Sequence, residues 1–157
     1  MRLVISCGAG KLEHRAPAFQ LYTGSLWSSF RKAHKSSGLS IDRVWVLSAL
    51  WGLIPANTKL DPYNAQLVPS NKRKLEEHQL RSSDLAKKLT PSYEDRTEPI
   101  YFVGGKAYLE ALELAGFENI LVLDQLATFP NLQARNGIGK QRQALSWFLG
   151  RFQNKMK

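Results

Sequence analysis

Four short apolar runs recur along the chain, and they constrain its fold more than any other feature. Helical patterns separate these runs, and the apolar residues within each run are continuous rather than alternating, which is typical of strands covered on both faces. Strands that alternate with helices indicate right-handed β-α-β crossovers. We therefore predict an α/β fold, a single-domain three-layer sandwich with a central, mostly parallel four-stranded sheet. The predicted strands cover residues 3–5, 44–47, 100–103 and 120–123, and the predicted helices cover residues 25–35, 71–89, 106–115 and 139–152.

The remaining local signals support one domain spanning residues 1–157. Pro69 and Ser70 mark the entry to the second predicted helix, Gly116 is placed to cap the third, and residues 90–99 read as a polar surface loop. No run of 18 apolar residues is present, so we expect no membrane span. The start of the chain does not resemble a secretory signal, and a single cysteine, Cys7, cannot form an internal disulfide. These features predict a cytoplasmic protein.

The charge balance favours a polyanionic partner. The chain has 22 Lys and Arg against 13 Asp and Glu, a formal net charge of +9, and no acidic residue follows Asp124. A basic face is typical of proteins that bind the phosphate backbone, and we expect DNA rather than RNA. A basic protein without such a partner is the alternative. The side chains predicted to contact phosphates are Lys72, Arg73, Lys140, Arg142 and Arg151.

Small or polar residues follow all four predicted strands. In open parallel sheets, ligands bind beyond the carboxyl ends of the strands. This rule predicts a substrate site that includes Cys7 and Gly8 after the first strand and Gly104 and Gly105 after the third. Cys7 itself has two interpretations, a small buried side chain or a nucleophile.

Two glycine motifs near this edge resemble phosphate-binding loops without matching them. In "GAGK", residues 8–11, Leu12 follows Lys11 where a Walker loop needs Ser or Thr. In "FVGGKAY", residues 102–108, the glycines do not have the G-x-G-x-x-G spacing of dinucleotide sites. Both motifs are open to two interpretations, an anion site formed by backbone N–H groups or an ordinary tight turn. Histidine and cysteine show no metal-ligand spacing, so we expect neither a metal nor a cofactor.

The stretch from Ser48 to Tyr63 offers the strongest candidate site. Ser48 ends a predicted strand, Trp51 presents a stacking surface, and Gly52 permits close approach of another group. Asp61 and Tyr63 add a carboxylate and a hydroxyl. A stacking ring beside a carboxylate suits an enzyme that acts on an unstacked nucleobase or on a glycosidic bond. The alternative is that Trp51 belongs to the core and Asp61 begins an Asp-Pro turn.

Four blocks of the sequence resemble a bacterial and phage family related to the peroxide-stress protein YaaA. The second block is the most specific, and it also resembles, more loosely, a domain attached to archaeosine-type tRNA transglycosylases. Trp51 lies where Tyr or His is expected in many members, which puts the choice of substrate in doubt. The blocks are "CGAGKLEHRAPAFQLYTGSLW", "LSALWGLIPANTKLDPYNAQL", "GGKAYLEAL" and "GIGKQRQAL".

The resemblance implies a core like that of the uracil-DNA glycosylases and a protein that binds DNA. We therefore expect a DNA glycosylase that excises a modified base, in phage defence or in repair. Asp61, Ser48 and Lys11 are its predicted catalytic residues, with Lys11 as an anion clamp or as a Schiff-base nucleophile. Two alternatives remain, a non-catalytic DNA or RNA binder of the YaaA type and an enzyme on free nucleosides or nucleotides. The predicted substrate-binding residues are Cys7, Gly8, Tyr22, Trp51, Gly52, Tyr63, Gly104, Gly105 and Tyr108.

Overall fold

A five-stranded, mostly parallel sheet forms the centre of the fold. The computed structural model describes residues 1–126 and 137–152 of the chain. The strand order is β4-β3-β1-β8-β9, and only β4, at one edge, runs antiparallel to its neighbour. The strands of this sheet are β1 (Arg2–Ser6), β3 (Val44–Ser48), β4 (Gly52–Pro55), β8 (Ile100–Val103) and β9 (Ile120–Val122).

Four further short strands form two small pairs outside the central sheet. β2 pairs antiparallel with β5, and β6 pairs parallel with β7. Each strand has only two or three residues. The β6–β7 pair lies within the long connection between β4 and β8, and the β2–β5 pair joins that connection to the one between β1 and β3. Their bounds are β2 (Ala16–Pro17), β5 (Lys59–Leu60), β6 (Gln66–Val68) and β7 (Gln79–Arg81).

Six helices and two 3-10 turns complete the described structure. The closest helix contacts join α2 to α6 and α3 to α5. The α-helices are α1 (Ala18–Leu21), α2 (Ser25–His34), α3 (Ser82–Leu89), α4 (Tyr93–Thr97), α5 (Lys106–Ala115) and α6 (Gly137–Gly150), and the 3-10 turns are Ile41–Arg43 and Leu123–Gln125. In residues 1–126 and 137–152, no helix is both long enough and apolar enough to cross a bilayer.

The core explains why the strands are continuous apolar runs. All five residues of β1 are buried, and because successive side chains point to opposite faces, both faces of the sheet are covered at β1. The largest fully buried side chains include Trp27 and Phe30 of α2 and Phe102 of β8. The predicted parallel α/β sheet is therefore confirmed in its four parallel strands.

Three details of the predicted secondary structure are wrong. The sheet has five strands rather than four, because Gly52 adopts a positive φ of 80° and turns the chain back into β4. The helix predicted over residues 71–89 exists only as α3. The preceding residues form turns and β7, since His78 has a positive φ of 66° and β7 pairs with β6. The predicted loop at residues 90–99 contains α4, which a capping box between Ser92 and Asp95 begins.

Candidate functional site

The candidate site lies where the chain leaves three adjacent strands. β1 is central in the sheet, with β3 on one side and β8 on the other, so the crossovers diverge from it. Such a switch point opens a crevice at the carboxyl ends of the strands. Cys7 follows β1, Ser48 ends β3 and Gly104 follows β8, and the Cys7 backbone N–H donates to the Leu47 carbonyl at 3.0 Å. The topology thus brings three separately predicted segments together.

A chain of hydroxyl groups joins Ser48 to two tyrosines. The Tyr63 hydroxyl lies 2.7 Å from Ser48 Oγ and 2.6 Å from the Tyr22 hydroxyl. Ser48 is fully buried, and the rings of Tyr22 and Tyr63 meet edge to face. We use the name tyrosine cluster for Cys7, Tyr22, Ser48, Tyr63 and Tyr108. The hydroxyl groups of Tyr22, Tyr63 and Ser48 form a continuous hydrogen-bonded chain within this cluster.

Cys7 contacts the third tyrosine, Tyr108. Its Sγ atom lies 3.1 Å from the Tyr108 hydroxyl and accepts a 3.5 Å hydrogen bond from the Ala49 backbone N–H. Burial and then the neighbouring Cys7 sulfur raise the pKa of Tyr108 well above its ordinary value of 10, and the same two causes, in the same order, raise the pKa of Tyr22 and of Tyr63. All three tyrosines therefore stay protonated at neutral pH and remain hydrogen-bond donors.

Lys11 lies over the rings of this cluster. Its Nζ atom is 4.5 Å from the Tyr63 ring centroid and 5.7 Å from that of Tyr22, and it donates to the Gly8 carbonyl at 3.1 Å. A backbone bridge between Lys11 and Tyr22 fixes this position. Burial lowers the pKa of the Lys11 ammonium, and the Cys7 sulfur offsets part of that effect. Among the described residues no carboxylate lies within 4 Å of Nζ, so the charged form of this amine has no carboxylate ion-pair partner there.

A cleft of about 410 Å³ opens beside Cys7 and Tyr108. It is bordered by the first residues of α2 and α5, and by α6. Neither α2 nor α5 has a side-chain cap on its first turn, so the cleft faces backbone N–H groups that have no partner within their helices. This volume falls within the range of small-molecule sites.

The two glycines after β8 shape the wall of this cleft. A Cβ atom on Gly104 would lie 2.2 Å from Ser6 Oγ, so the close approach of β1 and β8 requires glycine there. Gly105 caps α5 and lines the cleft, and Gln141 of α6 donates from Nε2 to the Gly104 carbonyl at 2.8 Å. Both predicted glycines therefore lie at the site.

Trp51, the predicted stacking residue, lies on an exposed turn rather than in the core. Trp51 is 56% exposed, at the tip of the turn between β3 and β4, and Gly52 begins β4. Ser48 Oγ accepts from the backbone N–H groups of Leu50 and Trp51 at 3.2 and 3.0 Å. Ser48 thus joins this exposed turn to the tyrosine cluster.

Asp61 lies apart from these contacts. Its carboxylate is 73% exposed and forms an ion pair with Arg15 at 3.3 Å, where the guanidinium is also exposed. The chain returns to the site two residues later, at Tyr63. Of the three predicted catalytic residues, Ser48 belongs to the tyrosine cluster and Lys11 contacts it, whereas Asp61 does neither. The catalytic role of each stays a prediction.

The predicted phosphate contacts fall into three separate places. Lys140 and Arg142 are the sequence neighbours of Gln141 on α6. Arg142 Nε donates to Ser29 Oγ at 2.7 Å, and these two residues border a depression separate from the cleft. Lys72 and Arg73 lie on a turn whose carbonyl oxygens accept from the Arg81 side chain. Arg151 lies just after α6, stacked over the Trp147 ring. Only the first pair lies on a helix that borders the cleft.

Trp27 and Gln141 are among the residues that line the cleft without having been predicted as site residues. Trp27 is buried and donates from Nε1 to the Ser6 carbonyl at 2.9 Å, and Gln141 binds Gly104. Trp27 lies in the block "LYTGSLW", and Gln141 lies in the block "GIGKQRQAL". Membership in these blocks was the available signal, because neither residue is close in sequence to a predicted strand.

Almost the whole chain, including the candidate site, matches a known sequence family. Residues 3–146 match DUF6884, a family of unknown function. The chain belongs to this family. No curated protein and no solved structure matches the chain. The DUF6884 match includes the whole tyrosine cluster, Lys11 and Gln141, whereas the relation to YaaA and the glycosylase-like core stay predictions.

Proposed function

We propose that this DUF6884 protein binds DNA and excises a modified base by cleaving its N-glycosidic bond, with Lys11 as the nucleophile. The observation that carries the proposal is the Lys11 amine, which is partly buried over Tyr22 and Tyr63 with a lowered pKa. A desolvated lysine is a good nucleophile because more of it is neutral. The predicted resemblance to YaaA-related proteins and to uracil-DNA glycosylases supports the same reaction class. The single cysteine supports a cytoplasmic location.

The reaction forms one bond for each bond that breaks. The neutral Lys11 amine adds to C1′ of the sugar, and the base departs with the electron pair of the glycosidic bond and takes a proton from solvent. The amine then loses a proton and the sugar ring opens, with its oxygen protonated, which leaves a Schiff base between C1′ and Lys11. Hydrolysis by water frees the lysine and an abasic sugar. If elimination of the 3′ phosphate precedes hydrolysis, the strand is also nicked.

The cleft and the tyrosine cluster supply binding rather than bond cleavage. A base rotated out of the helix enters the cleft beside Cys7 and Tyr108, and uncapped backbone N–H groups of α2 and α5 face it. The hydroxyl of Tyr108, a residue that lines the cleft, stays protonated and orients a polar edge of the base. Ser48 has its role here as the residue that positions Tyr63.

The basic side chains on α6 support DNA as the substrate. Lys140 and Arg142 lie on either side of Gln141, which lines the cleft. Phosphates bound there bring a neighbouring nucleotide to the cleft entrance. The exposed ring of Trp51, on the turn between β3 and β4, offers a surface on which an unpaired base stacks.

Release of the base tests this function. The protein is incubated with duplexes that carry normal, oxidised or phage-type modified bases, and alkali then reveals abasic sites. We expect cleavage of one modified class, loss of more than about 100-fold in rate for Lys11→Met, and wild-type rates for the exposed control Lys32→Met. Loss of activity in Asp61→Asn with full activity in Lys11→Met would transfer the catalytic role to Asp61.

A non-catalytic nucleic-acid binder is the second candidate. It is favoured by the mutual hydrogen bonds of Ser48, Tyr22 and Tyr63, which already satisfy one another without a ligand. It predicts salt-sensitive DNA binding with no release of any tested base. An enzyme on free nucleosides predicts instead a turnover that added DNA does not inhibit.

A further inference from the structure

A second cleft lies at the opposite edge of the sheet from the tyrosine cluster. Its volume is about 560 Å³, larger than the first cleft. It is lined by residues that precede β1 and β3, among them Met1, Leu39 and Arg43, so it faces the amino ends of the parallel strands. The proposed excision of a base makes no use of this region.

Three aromatic rings form one wall of this second cleft. Phe148 of α6 is buried, and its ring centroid lies 4.8 Å from that of Tyr101 and 5.3 Å from that of Phe152. Tyr101 and Phe152 are half-buried and line the cleft. The buried ring thus backs two partly exposed rings, which is an arrangement suited to stacking of a planar group.

Two arginines give the second cleft a positive charge. Arg43 donates to the Met1 carbonyl at 3.3 Å, and Arg151 lies 5.3 Å from the Trp147 ring centroid. Both arginines are exposed, and among residues 1–126 and 137–152 no carboxylate lies within 4 Å of either guanidinium. None of the described residues that line the cleft is acidic. Arginine matches the geometry of phosphate oxygens and stays charged at every physiological pH.

We propose that this second cleft binds a nucleoside phosphate unit, with the base on the Tyr101 and Phe152 rings and the phosphate between Arg43 and Arg151. The unit is either a free nucleotide or the phosphorylated end of a nucleic-acid strand, since both have the same chemistry. Its volume of about 560 Å³ falls in the range of sites that take ligands of this size. The site is independent of Lys11, so it does not rest on the proposed glycosylase.

Calorimetric titration of the full chain tests the second cleft. The ligands are a nucleoside 5′-monophosphate, the matching nucleoside, inorganic phosphate, and a trinucleotide with and without a 5′-phosphate. We expect saturable binding of the monophosphate at least about tenfold tighter than either part alone. Arg43→Gln and Arg151→Gln each weaken it about tenfold by losing charged hydrogen bonds. Lys35→Gln, an exposed cation outside the cleft, leaves it unchanged.

The outcomes separate this site from the first. Full binding by Lys11→Met supports a distinct site, whereas its loss in that variant would place the nucleotide in the first cleft and overturn the proposal. Inorganic phosphate that binds as tightly as the nucleotide would overturn base recognition. If the 5′-phosphorylated trinucleotide binds more tightly than the monophosphate, the ligand is a strand end, and the reverse order identifies a free nucleotide.

Discussion

At the residue scale, Ser48 holds together two parts of the site. Its Oγ atom binds the Tyr63 hydroxyl and accepts from two backbone N–H groups in the turn that presents Trp51. Removal of this oxygen leaves buried polar groups without a partner, which costs more than the net gain of one hydrogen bond. We expect Ser48→Ala to lower the free energy of unfolding by about 2 kcal/mol.

Urea unfolding measures this effect. Ser28→Ala is the matched control, because Ser28 is exposed on α2, and its unfolding free energy should stay within about 0.5 kcal/mol of wild type. A Ser48→Ala protein as stable as the control would show that the contacts of the hydroxyl do not hold the turn.

A second residue-scale prediction concerns Gly104. A Cβ atom there would lie 2.2 Å from Ser6 Oγ and 2.6 Å from Ser6 Cβ, so β1 and β8 would have to separate. We expect Gly104→Ala to destabilise the protein by about 3 kcal/mol or to prevent folding. Gly8→Ala meets nothing within 4 Å and should keep the wild-type melting temperature. Equal melting temperatures for the two variants would contradict the close packing at Gly104.

At the element scale, the first two turns of α6 are the part of the molecule proposed to bind DNA backbone. Lys140 and Arg142 lie there, on the helix that borders the first cleft through Ile138 and Gln141. Each phosphate contact contributes about 0.9 to the slope of log affinity against log salt for duplex DNA. The double variant Lys140→Gln, Arg142→Gln should therefore flatten that slope by about 1.8.

Fluorescence anisotropy at several salt concentrations provides the measurement. Lys59→Gln with Lys87→Gln removes the same charge from exposed positions elsewhere and should leave the slope nearly unchanged. If both pairs flatten the slope equally, the binding face is not on α6.

The arrangement of the elements also explains why some local patterns predict the wrong structure. Leu75, Leu85 and Leu89 suggest one long helix, yet only the last two lie in α3, because His78 takes a positive φ and β7 pairs with β6. Pairing of distant segments outweighs local periodicity here. The four parallel strands were predictable because burial on both faces demands continuous apolar residues. The edge strand β4 was not, since its turn depends on the conformation of Gly52.

The candidate site also combines features that are predictable from the sequence with features that are not. Cys7, Ser48 and Gly104 were predictable because a topological rule places the ends of strands together. The preference for Lys11 over Asp61 was not, because it depends on a backbone bridge to Tyr22 and on an exposed ion pair with Arg15. Neither contact has a local sequence signature.

At the scale of the whole molecule, the tyrosine cluster makes stability sensitive to alkali. The pKa values of Tyr22, Tyr63 and Tyr108 are raised in the folded protein, chiefly by burial. Above the unfolded value of about 10, the unfolded chain loses these protons and the folded chain keeps them, so stability present below pH 10 is lost as pH rises. We expect the unfolding free energy to fall between pH 9 and pH 11.

Urea unfolding across this pH range checks the effect, with Tyr22→Phe as the comparison. The variant removes one raised pKa, so its stability should fall less steeply with pH than that of the wild type. Identical slopes would show that Tyr22 does not contribute to the loss.

Reductive trapping of the Schiff base shows whether Lys11 is the nucleophile. The protein is mixed with DNA that carries the susceptible modified base, borohydride is added, and the cross-linked peptide is identified by mass spectrometry. We predict a covalent protein–DNA adduct at Lys11, absent in Lys11→Met and retained in Lys32→Met. Release of the base without any trapped adduct, or an adduct at another lysine, would contradict Lys11 as the nucleophile.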